Sequence, residues 1–427
     1  MNHSDTRHPF DPAAAAIPSS HAWAKLPIVC LIVAGLGFAG AIAFSNDDAR
    51  FYFAYLVAYL FWLSLALGGL FFTILQHVTK AGWSIVVRRL AELSMATLPA
   101  LAVLFIPILL GMHDLYHWTH FETGHLGAGH VETGHLGAGH VGAHTEAVVP
   151  DPILAGKVAY LNVPFFLLRA AIYFIVWIGL AWFYLLQSTR QDKTGDAEAS
   201  RRMQRFSGPA VALFALSCTF ASFDWIMSLE PHWYSTIFGV YFFSGALVGF
   251  FSWIILIALL LRRAGFLRGA LTDEHLHDLG KFLFGFVIFW AYIGFSQYLL
   301  IWYANLPEET IWFRTRLHGS WRDVSIFLAL GHFMVPFFYL LPRTIKRTGL
   351  AVAIGALWML AMHLLDLHWL VLPSHTREAF SPAVVDLFTW IGVGGLFGCV
   401  FAMLLRRYPL IPLKDPRLHE SLAFENF

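Results

Sequence analysis

The chain has 427 residues, 58% of them hydrophobic and 13% charged, with a formal net charge of +1. A soluble domain carries about 25% charged residues, and at a mean hydropathy of +0.63 this chain holds more apolar side chain than a water-soluble core can bury, so lipid must solvate much of it. The near-neutral balance excludes the basic field of a nucleic-acid binder, and Cys30, Cys218 and Cys399, each alone in an apolar run, exclude a disulfide framework, a c-type haem attachment and a cysteine-held cluster on this chain alone.

Residues 1–25 form a polar tail with Asp5, Arg7 and Asp11. The tail lacks the short apolar segment and small-residue cleavage site of a signal peptide, so the first apolar run is expected to stay as a span. A helix needs about 20 apolar residues to cross roughly 30 Å of hydrocarbon. Ten runs qualify: 26–45, 51–75, 93–112, 160–186, 208–228, 237–261, 282–302, 323–342, 350–372 and 385–405. They are apolar almost all round, as lipid-facing or bundle-core helices are. The expected fold is an all-α polytopic membrane protein of about ten transmembrane helices. Its parts are a cytoplasmic tail (1–25), a membrane domain (26–406) and a second cytoplasmic tail (407–427).

Orientation follows from the Lys and Arg between the spans. Most of the 28 fall on one side, in the tails, at Lys80/Arg88/Arg89, at Arg190–Arg205, at Arg262–Lys281 and at Arg343–Arg347. Few fall on the other, among them Arg50, Lys157, Arg314, Arg316, Arg322 and Arg377. That split predicts a multi-pass protein with both termini cytoplasmic.

The segment 113–159 reads as a mobile outer-side loop. It contains FETGHLGAGH and VETGHLGAGH in tandem (121–130 and 131–140), and two copies are too few for a repeat architecture. His125, His130, His135 and His140 recur every five residues. On a helix, successive ones would turn by about 140°, and on a strand they would alternate faces. Neither arrangement converges ligands, and no metal site is expected.

Ionisable groups inside spans are costly and mark functional candidates. One set comprises His113 and Asp114 at the outer end of the third span, Arg169 in the fourth and Asp224 in the fifth, with Glu230 and His232 just beyond. Arg169 keeps its proton and so needs a carboxylate, from Asp114 or Asp224. Such a cluster suits a quinone oxygen and its protons, and it equally suits a structural ion pair that sets helix register. The second set is His332, His363, Asp366, His368 and Asp386, with Arg322 and Asp323 opening the eighth span. His363 and Asp366 share a helix face. The set suits a proton relay or a hydrogen-bonded core. Haem on His332 and His363 is the weaker alternative, since no helix carries the paired histidines of a two-haem bundle. Trp225, Trp233, Tyr234, Trp302, Tyr303, Trp312 and Trp321 read as an interfacial aromatic belt.

Four stretches carry a family resemblance. SFDWIMSLEPHWYSTIFGVY (222–241) resembles the signature segment of the NrfD-like (polysulfide reductase membrane-subunit) superfamily as it occurs in alternative complex III. ALGGLFFTILQHVTKAGWSIVVRRLAE (within 61–92), QYLLIWYANLPEE (297–309) and GHFMVPFFYLLPRTIKR (331–347) agree with it. The likeness runs from about residue 26 to 410, and together the stretches resemble the shorter, ActF-type NrfD-like subunit. It implies two four-helix bundles plus two peripheral helices in the bacterial inner (plasma) membrane. It also implies a complex that oxidises menaquinol or another quinol and reduces cytochrome c or another periplasmic acceptor. Haem c and iron–sulfur clusters would sit on partners: an iron–sulfur subunit, multihaem cytochrome c subunits and the second NrfD-like subunit. This chain would bear no redox cofactor and would serve as a quinone-binding or proton-conducting subunit, with Asp224 and Arg169 in the region of the superfamily's quinol pocket. Other readings of the same residues are a purely structural scaffold and a secondary transporter.

Overall fold

The computed structural model describes residues 10–45, 47–122 and 151–426. The duplicated His/Gly segment from 123 onward therefore lies outside the described residues. Ten helices are long and apolar enough to cross a membrane: α1 (Ala22–Ala43), α2 (Asp48–Val78), α3 (Ile85–Leu110), α4 (Val163–Thr194), α5 (Ala197–Leu229), α6 (Phe238–Arg263), α7 (Asp273–Ala304), α8 (Gly319–Leu340), α9 (Gly349–Ser374) and α10 (Val384–Arg407). Among the described residues there is no strand. The protein is an all-α polytopic membrane protein.

The helices overrun the apolar runs, mostly at the face that carries both chain ends. α4 continues to Thr194 and α5 starts at Ala197, so they join through a tight turn at Gly195 and Asp196. Gly195 takes φ +70°, and Asp196 accepts from the backbone N–H of Glu198. α3 begins at Ile85 and α7 at Asp273, both well ahead of their apolar cores. Polarity marks where a helix leaves hydrocarbon. It does not end the backbone ladder.

α2 to α5 form one four-helix bundle and α6 to α9 a second, meeting where α6 packs on α2 and α5 and where α9 packs on α2. α10 lies on α2 and α3, and α1 lies on α10. α2 sits at the centre and is buried on nearly every face, whereas Ile28, Leu31, Leu36 and Ile42 of α1 are exposed. Small residues bring α1 and α10 together. A Cβ added at Gly37 would lie 2.4 Å from the backbone nitrogen of Gly392, and one at Gly395 would lie 2.6 Å from that of Ala34. In lipid such backbone proximity drives association.

α3 and α8 depart from regular α-helix in mid-span, and both carry proline there. In α3, Phe105 N–H bonds the Ala102 carbonyl and Ile108 N–H bonds Phe105, which frees the Leu101 and Leu104 carbonyls ahead of Pro107. Tyr59 and Tyr55 of α2 donate to those carbonyls at 3.1 and 2.7 Å. Side chains of a neighbouring helix thus satisfy backbone that lipid cannot. In α8 a π-helical turn spans Ala329–Met334, directly before Pro336. Pro336 has no N–H to give to the residue four back, which is His332.

The described segments before α1 and after α10 pack on one face. Leu410 N–H bonds the Ala15 carbonyl at 2.7 Å, and Ser421 donates to the Trp83 carbonyl at 2.5 Å. We call the opposite side the distal face.

Candidate functional site

In the first bundle, Asn162 caps α4 by accepting from the Phe165 N–H at 2.9 Å, and Pro164 fits the opening turn. Arg169 follows six residues into the helix, roughly 9 Å from its distal end at 1.5 Å per residue. It is shallower than the apolar run suggests, because the helix starts at Val163. Arg169 grips Asp224 of α5 with two hydrogen bonds, Nε to Oδ2 at 2.7 Å and Nη2 to Oδ1 at 3.0 Å. Its Nη1 donates to the Tyr160 carbonyl at 2.9 Å, and Tyr173 Oη donates to Asp224 Oδ2 at 2.7 Å. Tyr160 and Phe165 lie over the guanidinium at 3.8 and 4.3 Å. Trp225, packed among Phe105, Phe174 and Trp177, walls the cluster behind Asp224.

Of the two acids that Arg169 can pair with, the structure selects Asp224. His113 and Asp114 do not join the cluster. Both are exposed, and His113 bonds Thr119 at 3.1 Å. Gly111 ends the α3 helix just before them, and the short turn after it points both side chains outward. Glu230 and His232 are also drawn elsewhere, to Arg316 and Asp151.

The second bundle holds a different constellation. Asp366 of α9 is buried and accepts from Tyr241 Oη at 2.6 Å and from Trp290 Nε1 at 3.1 Å. One turn away, His363 Nε2 meets Ser64 Oγ of α2 at 2.8 Å. His332, in the π-helical turn of α8, stacks on Trp290 with centroids 3.8 Å apart. Neither ring nitrogen of His332, nor Nδ1 of His363, has a hydrogen-bond partner among the described residues. His332, His363 and Asp366 therefore share one buried region between α6, α7, α8 and α9.

The other members of that set lie apart. Asp386 forms an ion pair with Arg50 at 2.5 Å and accepts from the Ala383 N–H at 2.8 Å, closing the N-terminus of α10. His368 bonds the Leu364 carbonyl of its own helix at 2.8 Å and lies toward the Arg50–Asp386 pair. Arg322 and Asp323 are exposed. The continuous five-membered relay drawn from sequence is thus two groups, because helical rotation sends position 368 to a different face from 363 and 366.

Sequence reasoning missed Tyr241 and Trp290, the two donors to Asp366. A usable signal was present: Gly245 and Gly249 of α6 form a G-x-x-x-G stripe on the face of Tyr241. A Cβ at Gly245 would lie 3.3 Å from Asp366 Oδ2, and one at Gly249 would lie 2.7 Å from His363 Cδ2. The glycines make the space that His363 and Asp366 fill.

The cations of two buried ionic centres, Arg316 and the pair Arg88 and Arg89, were also read as ordinary loop charges. Arg316 is fully buried. It pairs with Glu230 at 3.0 Å and donates to the Trp369 and Leu370 carbonyls at 3.1 and 2.9 Å. Trp312 lies 3.6 Å from its guanidinium carbon. Burial lowers the Arg316 pKa, and Glu230 opposes that shift. The centre ties the short helix Pro307–Arg316 to the end of α9. On the terminus-bearing face, Arg88 pairs with Asp415 at 2.6 Å and Glu92 at 3.3 Å, and Arg89 pairs with Asp192 at 2.5 Å. Beside these pairs, Gln76 Oε1, His77 Nε2 and Gln191 Oε1 are buried without partners among the described residues. Polar atoms in such positions call for internal water.

Among the described residues, no three His, Cys, Asp or Glu side chains are grouped to hold a metal ion. No protein-family model matches the chain, and no curated protein gives a significant match.

Proposed function

We propose that this chain is a membrane subunit of a quinol-oxidising electron-transport complex of the alternative complex III type. In that reading it lies in a bacterial plasma membrane with both termini cytoplasmic, beside subunits that carry haem c and iron–sulfur clusters. Four sequence stretches that resemble NrfD-like subunits support the reading, as do the ten spans arranged as two bundles with two flanking helices. The proposed work of this chain is to carry protons, and the observation that carries this is Asp366. An acid buried within membrane spans, held by Tyr241 and Trp290 and neighboured by histidines whose ring nitrogens include ones without a partner among the described residues, can take up and release a proton without leaving its place.

A scaffold role is the second reading, and the Arg169–Asp224 cluster favours it. Every hydrogen-bonding nitrogen of that guanidinium and both carboxylate oxygens are engaged, which leaves little capacity for a substrate oxygen.

One experiment separates the two. The native assembly is isolated through a tag on this chain, and proton release and quinol oxidation are measured with Asp366→Asn. Co-purification of cluster-bearing and multihaem subunits, with fewer protons released per quinol oxidised, supports the proposal. Unchanged proton release assigns the chain to the scaffold. Purification without redox subunits removes the complex from consideration.

A further inference from the structure

A cavity of about 560 Å³ lies between α7, α8 and the short helix Pro307–Arg316. That size is typical of a site for a small organic ligand. It runs along α7 from Ile288 to Tyr298, roughly 15 Å at 1.5 Å per residue, about the depth of one leaflet's hydrocarbon. Its deep wall is Tyr241 and Trp290, and its distal lid is Trp312 and Phe313.

Three observations define what fits. The lining is overwhelmingly aromatic and aliphatic, so an aqueous ion or sugar has no place in it. Tyr292 and Phe295 of α7 and Ile326 of α8, all lining residues, are exposed on spans that face lipid, so the cavity is entered from the membrane and not from water. The polar groups of the deep wall beside Asp366 and Arg316 are engaged by protein partners. Tyr241 and Trp290 donate to Asp366, and Ser325 bonds the Arg316 and Trp321 carbonyls. Gln297, by contrast, lines the cavity, is 4% exposed, and makes no hydrogen bond among the described residues. A buried amide without a partner costs free energy unless a ligand or water supplies one.

We propose that this cavity is a binding site for a membrane-dissolved, long-chain amphiphile, whose hydroxyl or carbonyl oxygen pairs with the Gln297 amide and whose apolar body lies along α7 and α8. The site is in the second bundle and is independent of the electron-transport reading. Its ligand would lie directly against the two donors of Asp366.

The test uses the purified full chain in lipid nanodiscs and two photoactivatable probes: a long-chain alcohol carrying a diazirine, and the matched alkane without the hydroxyl. Labelled residues are mapped by peptide mass spectrometry. The alcohol is expected to label 288–298 and 325–333 saturably and in excess over the alkane. Gln297→Leu should cut that labelling by about three- to tenfold, the worth of one hydrogen bond. Ala329→Trp, whose exposed side chain lies in the cavity wall, should abolish it while the fold stays intact. Equal labelling by the two probes, or labelling spread over all lipid-facing spans and unmoved by either substitution, would overturn the proposal. The first result removes the Gln297 anchor. The second leaves only annular lipid.

Discussion

Arg169 and Asp224 meet side-on across α4 and α5, with Nε and Nη2 of the guanidinium on the two carboxylate oxygens. Planar two-point pairing is the strongest arrangement of these groups, and it sets the rotation of both helices about their axes. Removing one partner leaves an uncompensated buried charge. Asp224→Ala should therefore destabilise the folded chain by about 3–5 kcal/mol, whereas the double replacement Arg169→Met with Asp224→Leu should lose much less. Denaturation of the purified variants in mixed micelles measures both.

Gly249 gives a second, steric prediction. Alanine there places a methyl carbon 2.7 Å from the His363 ring, which must turn away from Ser64. Overpacking of this kind costs about 1–3 kcal/mol. Gly249→Ala should lower the unfolding temperature, and Gly249→Ala with His363→Ala should recover part of the loss.

The flanking helix tests differently. Valine at Gly37 or Gly395 drives a side chain into backbone atoms of the partner helix, where nothing flexible can yield. α1 should then separate from α10 while the two bundles stay folded. Faster maleimide labelling of Cys30, a part-exposed residue of α1, would report that separation. Unchanged labelling would count against glycine-mediated packing.

Proton linkage supplies a prediction at the distal face. His375 follows α9, stacks on Phe53 at 5.0 Å and lies 3.6 Å from Asp47. Burial lowers its pKa below the usual 6.5, and the Asp47 charge, which favours protonation, does not offset this with Arg50 nearby. The folded chain therefore binds this proton less readily than the unfolded chain. Its contribution is fully present above about pH 6.5 and declines as pH falls through that value. Melting temperatures from pH 8 to pH 5 should fall toward acid, and His375→Asn should flatten that slope.

The C-terminal segment should behave as part of the fold. Asp415 holds the buried Arg88, which retains Glu92 as its other partner. Asp415→Ala should cost about 1–3 kcal/mol, less than an uncompensated charge would. It should also expose residues 408–426 to limited proteolysis, which gel analysis would detect. A tail equally resistant in both proteins would contradict this.

The ten spans could be counted from apolar runs because crossing hydrocarbon demands a minimum length of apolar helix, a constraint that acts on contiguous residues. Arg169 could be flagged and given an acid to find, because a lone buried charge is too costly to keep. Which acid answers it was not legible, since Asp114 and Asp224 differ only in the direction their side chains take after Gly111 ends one helix and α5 continues another. The same holds for Asp366. Its companions Tyr241 and Trp290 come from two other helices, and Gln297, ordinary in the sequence, becomes a buried amide in a cavity wall with no hydrogen bond among the described residues. Composition is a local property, but rotation about a helix axis and the pairing of helices are set by contacts between residues far apart in the chain, so hydropathy could place the spans while packing alone chose their partners.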